Sequence, residues 1–193
     1  NKFMSNIQEE IKLNASKIDA YLNSYFKNQN SNSKLYEAMK YGLFSGGKMI
    51  RSYLVHAACK VFDIKEKDYI PIAAAIECVH SYSLIHDDLP SMDNDDFRRG
   101  KESTHKAYGE FTAILAGSSL LTMAFEMISD HNFKIPDEKK NKIIHALSFC
   151  SGHLGIAGGQ FYDLSLIECS GSESTFAGSL YRGRWRHHRH GPR

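Results

Sequence analysis

The chain of 193 residues is 42% hydrophobic and carries a formal net charge of +2, which fits one globular domain with a sizeable core. No run reaches the roughly eighteen uninterrupted apolar residues of a membrane span, and the first residues lack the apolar core of a signal peptide. These features predict a cytoplasmic protein with no membrane span, and no nucleic-acid partner is expected.

Apolar residues recur at helical spacing along most of the chain, with no alternation typical of β-strands, no internal repeat and no linker. Ser33 is a candidate N-cap for the second helix, and Gly46 and Gly47 end that helix. Pro71 suits the first turn of the fourth helix, which Leu89 and Pro90 should end near Asp87 or Asp88. The predicted helices cover residues 5–27, 34–44, 49–62, 71–88, 110–129 and 137–158.

The fourth predicted helix is apolar or small on nearly every face. Between Ile72 and Ile85 only Glu77, His80 and small polar residues interrupt its apolar character. A helix that is apolar all round belongs at the centre of a helical assembly. The sequence therefore predicts an all-α fold in which the other helices pack around this one.

Five aspartates lie within ten residues directly after this central helix, and Arg98 and Arg99 follow them. Hard carboxylate oxygens suit Mg²⁺, which fills its remaining positions with water and substrate phosphate oxygens. Arginine forms forked hydrogen bonds to phosphate, and residues 1–170 contain 16 Lys but only three Arg, the third being Arg51. The pattern favours a Mg²⁺–diphosphate site; a solvated acidic loop neutralised by its own arginines is the alternative.

Residues 80–100, HSYSLIHDDLPSMDNDDFRRG, resemble the first aspartate-rich motif of the trans-isoprenyl diphosphate synthases, and most closely the bacterial farnesyl diphosphate synthase (geranyltranstransferase) type. The similarity runs from about Ile7 to Leu164. It includes GGKMIR at residues 46–51 and GGQFYDL at residues 158–164. The resemblance implies the N-terminal portion of an isoprenoid-synthase helical bundle, a homodimer, and Mg²⁺ as cofactor.

The resemblance also implies roles for residues around the first two motifs. Gly47, Lys48 and Arg51, together with His80 and Arg99, correspond to the site that holds the diphosphate of isopentenyl diphosphate. The glycine pair before Lys48 and Arg51 also has a purely structural interpretation, as a common helix junction. A lone histidine in an apolar helix is likewise more often a satisfied core residue.

The acidic motif corresponds to the catalytic centre of the family. Asp87 and Asp93 match the Mg²⁺ ligands, Asp88 lies beside them, and Arg98 matches the contact to the allylic diphosphate. Because six residues separate Asp87 from Asp93, a continuous helix would place them on different faces, so the loop after Pro90 is expected to fold back. Two further aspartates are expected to be solvated or to act indirectly: Asp95 and Asp96.

The implied reaction condenses dimethylallyl or geranyl diphosphate with isopentenyl diphosphate to give geranyl or farnesyl diphosphate. Tyr82 and Ser83 lie five and four residues before Asp87, about one helical turn below the metal site. In the family an aromatic residue at the position of Tyr82, with the two extra residues of DDLPSMD, accompanies a farnesyl-sized product. The alternative is that Tyr82 is a core aromatic residue with its hydroxyl satisfied elsewhere.

The C-terminal part of the chain departs from the family pattern. Asp163 in the GQFYD element is either a group near the site or part of a plain helix end, and no second aspartate-rich motif or Lys-Thr element follows it. Residues 165–193 show no helical period and are interpreted as a different reading frame, a splice product or a cloning scar, with a basic nucleic-acid-binding tail as the rival. A second hypothesis for the chain is therefore a catalytically incomplete fragment, or a non-catalytic subunit that binds diphosphate or a partner.

Overall fold

The computed structural model describes the backbone of residues 2–29 and 31–171, and side chains from residue 6 to residue 166 within those ranges. The described residues are helical apart from loops and one hairpin of two-residue strands, which confirms the all-α prediction. The elements are α1 (Lys2–Asn28), α2 (Lys34–Leu43), α3 (Ile50–Val61), α4 (Glu66–Asp87), β1 (Phe97–Arg98), β2 (Lys101–Glu102), α5 (Thr104–Tyr108), α6 (Glu110–Ser129), α7 (Asp137–Ser151) and α8 (Ile156–Gly171).

Local capping chemistry explains where several helices begin and end. The Oγ of Ser33 accepts a hydrogen bond from the backbone N–H of Tyr36 at 3.2 Å, as expected of an N-cap. Helix α4 ends at Asp87, two residues before Leu89. It begins at Glu66, however, so the prediction that Pro71 lies in its first turn is wrong. Acidic residues suit the first turn of a helix, and the buried Pro71 is accommodated one turn further along.

Helix α4 is the centre of the first compact unit, which comprises residues 1–149. It packs against α1, α2, α3 and α6. Ala73, Ala74 and Ala75 are fully buried, and the lack of bulk at these positions allows neighbouring helices to approach closely. The prediction of a central apolar helix is confirmed.

Helix α6 is the one helix among the described residues that is long and apolar enough to cross a membrane by length and composition. Half of that segment is buried within the fold, where Ala113, Ala116, Leu120 and Ala124 are fully covered. Because α6 packs against α4 and α2, its apolar character is accounted for by the core of the helical unit.

The last predicted helix, residues 137–158, is interrupted. Helix α7 ends at Ser151 and α8 begins at Ile156, with glycines at both ends of the break, Gly152 and Gly155. Helix α8 belongs to a second compact unit that begins at Cys150. It continues to Gly171, so the prediction that the last helix ends near Gly158 is wrong, as is the interpretation that residues after Ser165 have no helical character, and the GQFYD element lies within a helix rather than at a helix end.

Candidate functional site

The acidic loop after α4 folds back on the end of the helix. The backbone N–H of Asp93 donates to the carbonyl of Asp87 at 2.8 Å, and the N–H groups of Met92 and Asn94 donate to the carbonyl of Leu89 at 2.9 and 3.1 Å. Asn94 adopts a left-handed conformation with φ of 53°, which asparagine tolerates better than most residues. The loop therefore brings the backbone of Asp93 next to that of Asp87, although six residues separate them.

Asp88 forms a buried ion pair with Arg98. The Asp88 side chain is 3% exposed, and its carboxylate accepts hydrogen bonds from Nε of Arg98 at 2.8 Å and from Nη2 at 2.5 Å. These hydrogen bonds raise the pKa of Arg98. A buried carboxylate needs such a partner, and the guanidinium is held in a defined orientation in return. Asp88 thus orients Arg98.

The two arginines of the RRG motif lie in the short hairpin and contact different residues. Arg98 ends β1 and pairs with Lys101 of β2, while Arg99 and Gly100 form the turn with φ values of 53° and 78°. Arg98 reaches Asp88, whereas the guanidinium of Arg99 lies against Gly47. One tight turn therefore connects the acidic loop with the glycine-containing segment before α3.

A cavity of about 90 Å³ lies next to that contact. It is lined by residues from three separate segments of the chain: the loop before α3, the middle of α4 and the hairpin turn. All five residues assigned to the isopentenyl diphosphate site are among the lining residues: Gly47, Lys48, Arg51, His80 and Arg99. Three permanent cations thus surround a space large enough for a small anion.

Gly47 permits the close approach of Arg99. A Cβ atom at position 47 would lie 2.5 Å from Nη1 and 2.9 Å from Cζ of Arg99, distances that side-chain atoms do not tolerate. The backbone of Gly47 also has a φ of 144°, a conformation that other residues rarely adopt. The backbone conformation therefore requires glycine at this position, and a Cβ would also displace the guanidinium, which is the flexible end of the Arg99 side chain.

His80 is a neutral hydrogen-bond acceptor in this cavity. Its Nε2 atom lies 3.2 Å from Nη1 of Arg51, and because an arginine can only donate, Nε2 must accept. Burial, and then the nearby charges of Arg51, Arg99 and Arg98, lower the pKa of His80 to about 4. At neutral pH the histidine thus fixes the guanidinium of Arg51 without adding charge.

One buried residue at this cavity was noticed in the sequence only as an interruption of the apolar helix. Glu77 is 5% exposed, lines the cavity, and accepts a hydrogen bond at Oε1 from the backbone N–H of Ser52 at 2.8 Å. The sequence could have indicated a role for Glu77 through its position, since a carboxylate inside an otherwise apolar buried helix must have a partner.

The two residues assigned to product length, Tyr82 and Ser83, lie on α4 and are absent from the lining of the cavity. Tyr82 is half-buried, and its ring meets the ring of His86 edge to face at a centroid distance of 4.7 Å. His86 in turn lies 3.1 Å from the carbonyl of Ile114 in α6, through its Nε2 atom. The hydroxyl of Ser83 donates to the carbonyl of His80 at 2.9 Å, so it is satisfied within the helix.

A family model of the polyprenyl synthetases matches residues 32–181. The chain belongs to this family. The match begins later than Ile7 and continues past Leu164, the limits over which the sequence motifs suggested a resemblance. Residues 172–193, including His187, His188 and His190, lie outside the described residues.

Relatives and solved structures of prenyl transferases agree with this membership. The chain is 42% identical over 148 residues to a farnesyl diphosphate synthase of Bacillus subtilis (strain 168), covering 76% of the chain and 50% of the relative. For a farnesyl diphosphate synthase of Escherichia coli (strain K12) the identity is 45% over 134 residues, covering 69% and 45%. The crystal structure of a geranyltransferase from Legionella pneumophila superposes with a TM-score of 0.81 at 39% identity, covering 91% of this chain and 61% of that one. The chain thus spans about half the length of the curated relatives it matches.

The partners and positions of the acidic side chains decide whether they can hold a metal ion. Among the described residues no group of three or more His, Cys, Asp or Glu side chains is arranged to hold one. Asp88 is engaged by Arg98, and the exposed Asp96 pairs with Lys106 at 3.2 Å. The contact between Asp93 and Asp87 leaves two carboxylate-bearing residues side by side, which fits Mg²⁺ because this ion takes one or two protein carboxylates and completes its shell with water and phosphate.

Asp163 lies in α8, within the second compact unit. Asp95 is exposed in the acidic loop. The residues that line the cavity and those of the acidic loop all belong to the first unit.

Proposed function

We propose that this chain carries the diphosphate-binding part of a Mg²⁺-dependent trans-prenyl transferase. The enzyme condenses dimethylallyl or geranyl diphosphate with isopentenyl diphosphate to give geranyl or farnesyl diphosphate. The observation that carries the proposal is the cavity lined by Gly47, Lys48, Arg51, His80 and Arg99, because these residues come from three segments and supply three permanent cations around one small space.

The cavity residues hold the diphosphate of isopentenyl diphosphate. Arg51 is held by its hydrogen bond with His80, so its guanidinium is in place before substrate binds, and the guanidinium of Arg99 lies close to Gly47 at the same cavity. Such preorganisation lowers the cost of ordering long side chains on binding. Lys48 adds a mobile point charge at the exposed side of the cavity.

The allylic diphosphate binds at the acidic loop. Its carbon–oxygen bond breaks, and the departing diphosphate keeps the electron pair. Arg98 stabilises this charge: Asp88 occupies its Nε and Nη2 atoms, which leaves Nη1 to donate to the diphosphate. Asp87 and Asp93 would hold Mg²⁺, which supplies further positive charge to the leaving group when it is bound.

The double bond of isopentenyl diphosphate then attacks the allylic cation, a carbon–carbon bond forms, and a proton is lost. The cation must be kept from water, and the half-buried ring of Tyr82 on α4 contributes to this exclusion. Tyr82 and Ser83 lie along the path of the growing chain, and the ring of Tyr82 limits its length to that of a farnesyl product. The family resemblance supports a homodimer in the cytoplasm.

Two measurements on the purified chain test this function. Calorimetric titration with isopentenyl diphosphate should give binding that Arg51→Ala weakens at least tenfold, since a charge-assisted hydrogen bond is lost. Incubation with geranyl diphosphate, isopentenyl diphosphate and Mg²⁺ should give farnesyl diphosphate, with at least a hundredfold lower turnover in Asp87→Asn. Asp95→Asn, an exposed aspartate of the same loop, is the matched control.

Absence of binding in the parent chain would refute the assignment of the cavity. Binding that follows the predicted dependence on Arg51, without any condensation, would instead support the alternative of a non-catalytic or incomplete diphosphate-binding protein.

A further inference from the structure

Glu77 joins the centre of α4 to the start of α3. It is 5% exposed, and its Oε1 atom accepts the backbone N–H of Ser52 at 2.8 Å. Ser52 is the third residue of α3, and the first four N–H groups of a helix have no partner within the helix. Met49, the N-cap residue, makes no side-chain capping bond, so Glu77 supplies from another helix the acceptor that a capping residue normally provides.

Ser52 extends this contact into a buried network across three helices. Its side chain is fully buried, and its Oγ donates to the carbonyl of Met49 at 2.8 Å. The same Oγ accepts from Nδ2 of Asn14 in α1 at 3.0 Å. The backbone N–H and the hydroxyl of Ser52 thus both have partners, and buried hydrogen-bonded networks of this kind hold one arrangement of their helices.

The network surrounds a strained segment that leads into the anion cavity. Met49 is left-handed, with φ of 46° and ψ of 48°, which a non-glycine residue adopts only where its surroundings enforce it. Lys48 immediately precedes Met49, and Arg51 lies two residues beyond it. The directions of both cations therefore depend on the contacts that hold Met49 and the first turn of α3.

The charge of Glu77 works against anion binding. Among the residues that line the cavity Glu77 carries the only carboxylate, and like charges repel. If charge alone mattered, an uncharged residue would serve the cavity better. The contribution of Glu77 must then come from the hydrogen bond that it accepts.

We propose that Glu77 is a positioning residue for the diphosphate cavity, fixing the start of α3 through Ser52 so that Lys48 and Arg51 converge on the anion. This inference rests on the proposed function of the cavity. It assigns to Glu77 a geometric role that is separable from its charge.

Two variants of similar size separate geometry from charge. Glu77→Gln keeps an oxygen acceptor for the Ser52 N–H and loses the charge, whereas Glu77→Met loses both. The probe is inorganic pyrophosphate without divalent cations, titrated calorimetrically into the full chain at pH 7. Glu66→Gln, an exposed glutamate in the first turn of α4, is the control.

We expect Glu77→Gln to bind pyrophosphate at least as tightly as the parent chain, and Glu77→Met to bind at least tenfold more weakly than Glu77→Gln. Circular dichroism and urea unfolding measure the folded fraction of each variant. If Glu77→Met does not fold, Asn14→Ala tests the same network, because it removes the hydrogen bond to Ser52 and leaves Glu77 unchanged. Asn14→Ala should then weaken binding several-fold.

Equal pyrophosphate affinities for folded Glu77→Gln and Glu77→Met would overturn the inference. If Glu77→Met does not fold, an Asn14→Ala variant that binds pyrophosphate as tightly as the parent chain would overturn it. These results are distinguishable from failure of the proposed function. If the parent chain binds no pyrophosphate, or if Arg51→Ala binds as well as the parent, the cavity is not an anion site and both proposals fall.

Discussion

Replacement of Gly47 by alanine should weaken binding of isopentenyl diphosphate by displacing Arg99. The added Cβ would lie 2.5 Å from Nη1 and 3.1 Å from Nη2 of that residue, so the guanidinium must move by about 1 Å to restore van der Waals contact. A shift of that size removes a charge-assisted hydrogen bond to the diphosphate, worth about 1.5–3 kcal/mol. The expected loss in affinity is therefore roughly 10-fold to 150-fold.

A neighbouring glycine provides the control for backbone strain. Gly46 has a φ of 87°, and a Cβ at that position would meet no atom within 4 Å. Gly46→Ala therefore strains the backbone of the same loop without a clash with Arg99. This strain should lower the free energy of unfolding by about 1–3 kcal/mol. Calorimetric titration of isopentenyl diphosphate should show a clearly larger loss of affinity for Gly47→Ala than for Gly46→Ala.

A double-mutant cycle with Arg99→Ala makes the test specific. If the clash acts through Arg99, adding Gly47→Ala to Arg99→Ala should cost little further affinity, because the displaced group is already absent. Independent, additive losses would refute the proposed mechanism. Equal losses in Gly46→Ala and Gly47→Ala would show that loop strain alone accounts for the effect.

Three further predictions concern other parts of the site. Asp88→Ala and Arg98→Ala should each lower turnover by about 10²-fold, because Asp88 acts by orienting Arg98. The double variant should then be no worse than either single one, which steady-state kinetics check. Tyr82→Ala should shift the products of geranyl or farnesyl diphosphate towards geranylgeranyl length, and an unchanged farnesyl peak on chromatography would exclude Tyr82 as the limit of chain length. His80 should stabilise the fold fully above pH 6.5 and lose this contribution as the pH falls towards its lowered pKa of about 4, because the unfolded chain binds the proton first; urea unfolding of the parent and His80→Gln between pH 4 and 8 should show the larger decline in the parent.

Elements decided by local chemistry were predictable from the sequence. Ser33 marks the start of α2 and Leu89-Pro90 marks the end of α4, because capping and the steric demand of proline act between neighbouring residues. The break between α7 and α8 was missed, since the apolar period continues through it and Gly152 and Gly155 give only a weak signal. The hairpin was missed because strands of two residues carry no alternation.

The residues that belong to the site were more predictable than the contacts between them. The family resemblance assigned Lys48 and Arg51 to a diphosphate, since the glycine pair and the two cations alone also fit a structural helix junction. The pairing of Asp88 with Arg98 depends on how the loop and hairpin pack together. The contact between Glu77 and Ser52 spans 25 residues of sequence, and only the packing of α3 on α4 determines it. Contacts of this kind depend on tertiary packing, which local pattern does not encode.

A crystal structure of the chain with isopentenyl diphosphate would test the central claim most directly. Diphosphate density is expected in the cavity before α3, with oxygen atoms within hydrogen-bond distance of Lys48, Arg51 and Arg99, and with His80 still accepting from Arg51. Diphosphate bound elsewhere, with the cavity residues unchanged and without contact to it, would contradict the assignment of this cavity to isopentenyl diphosphate.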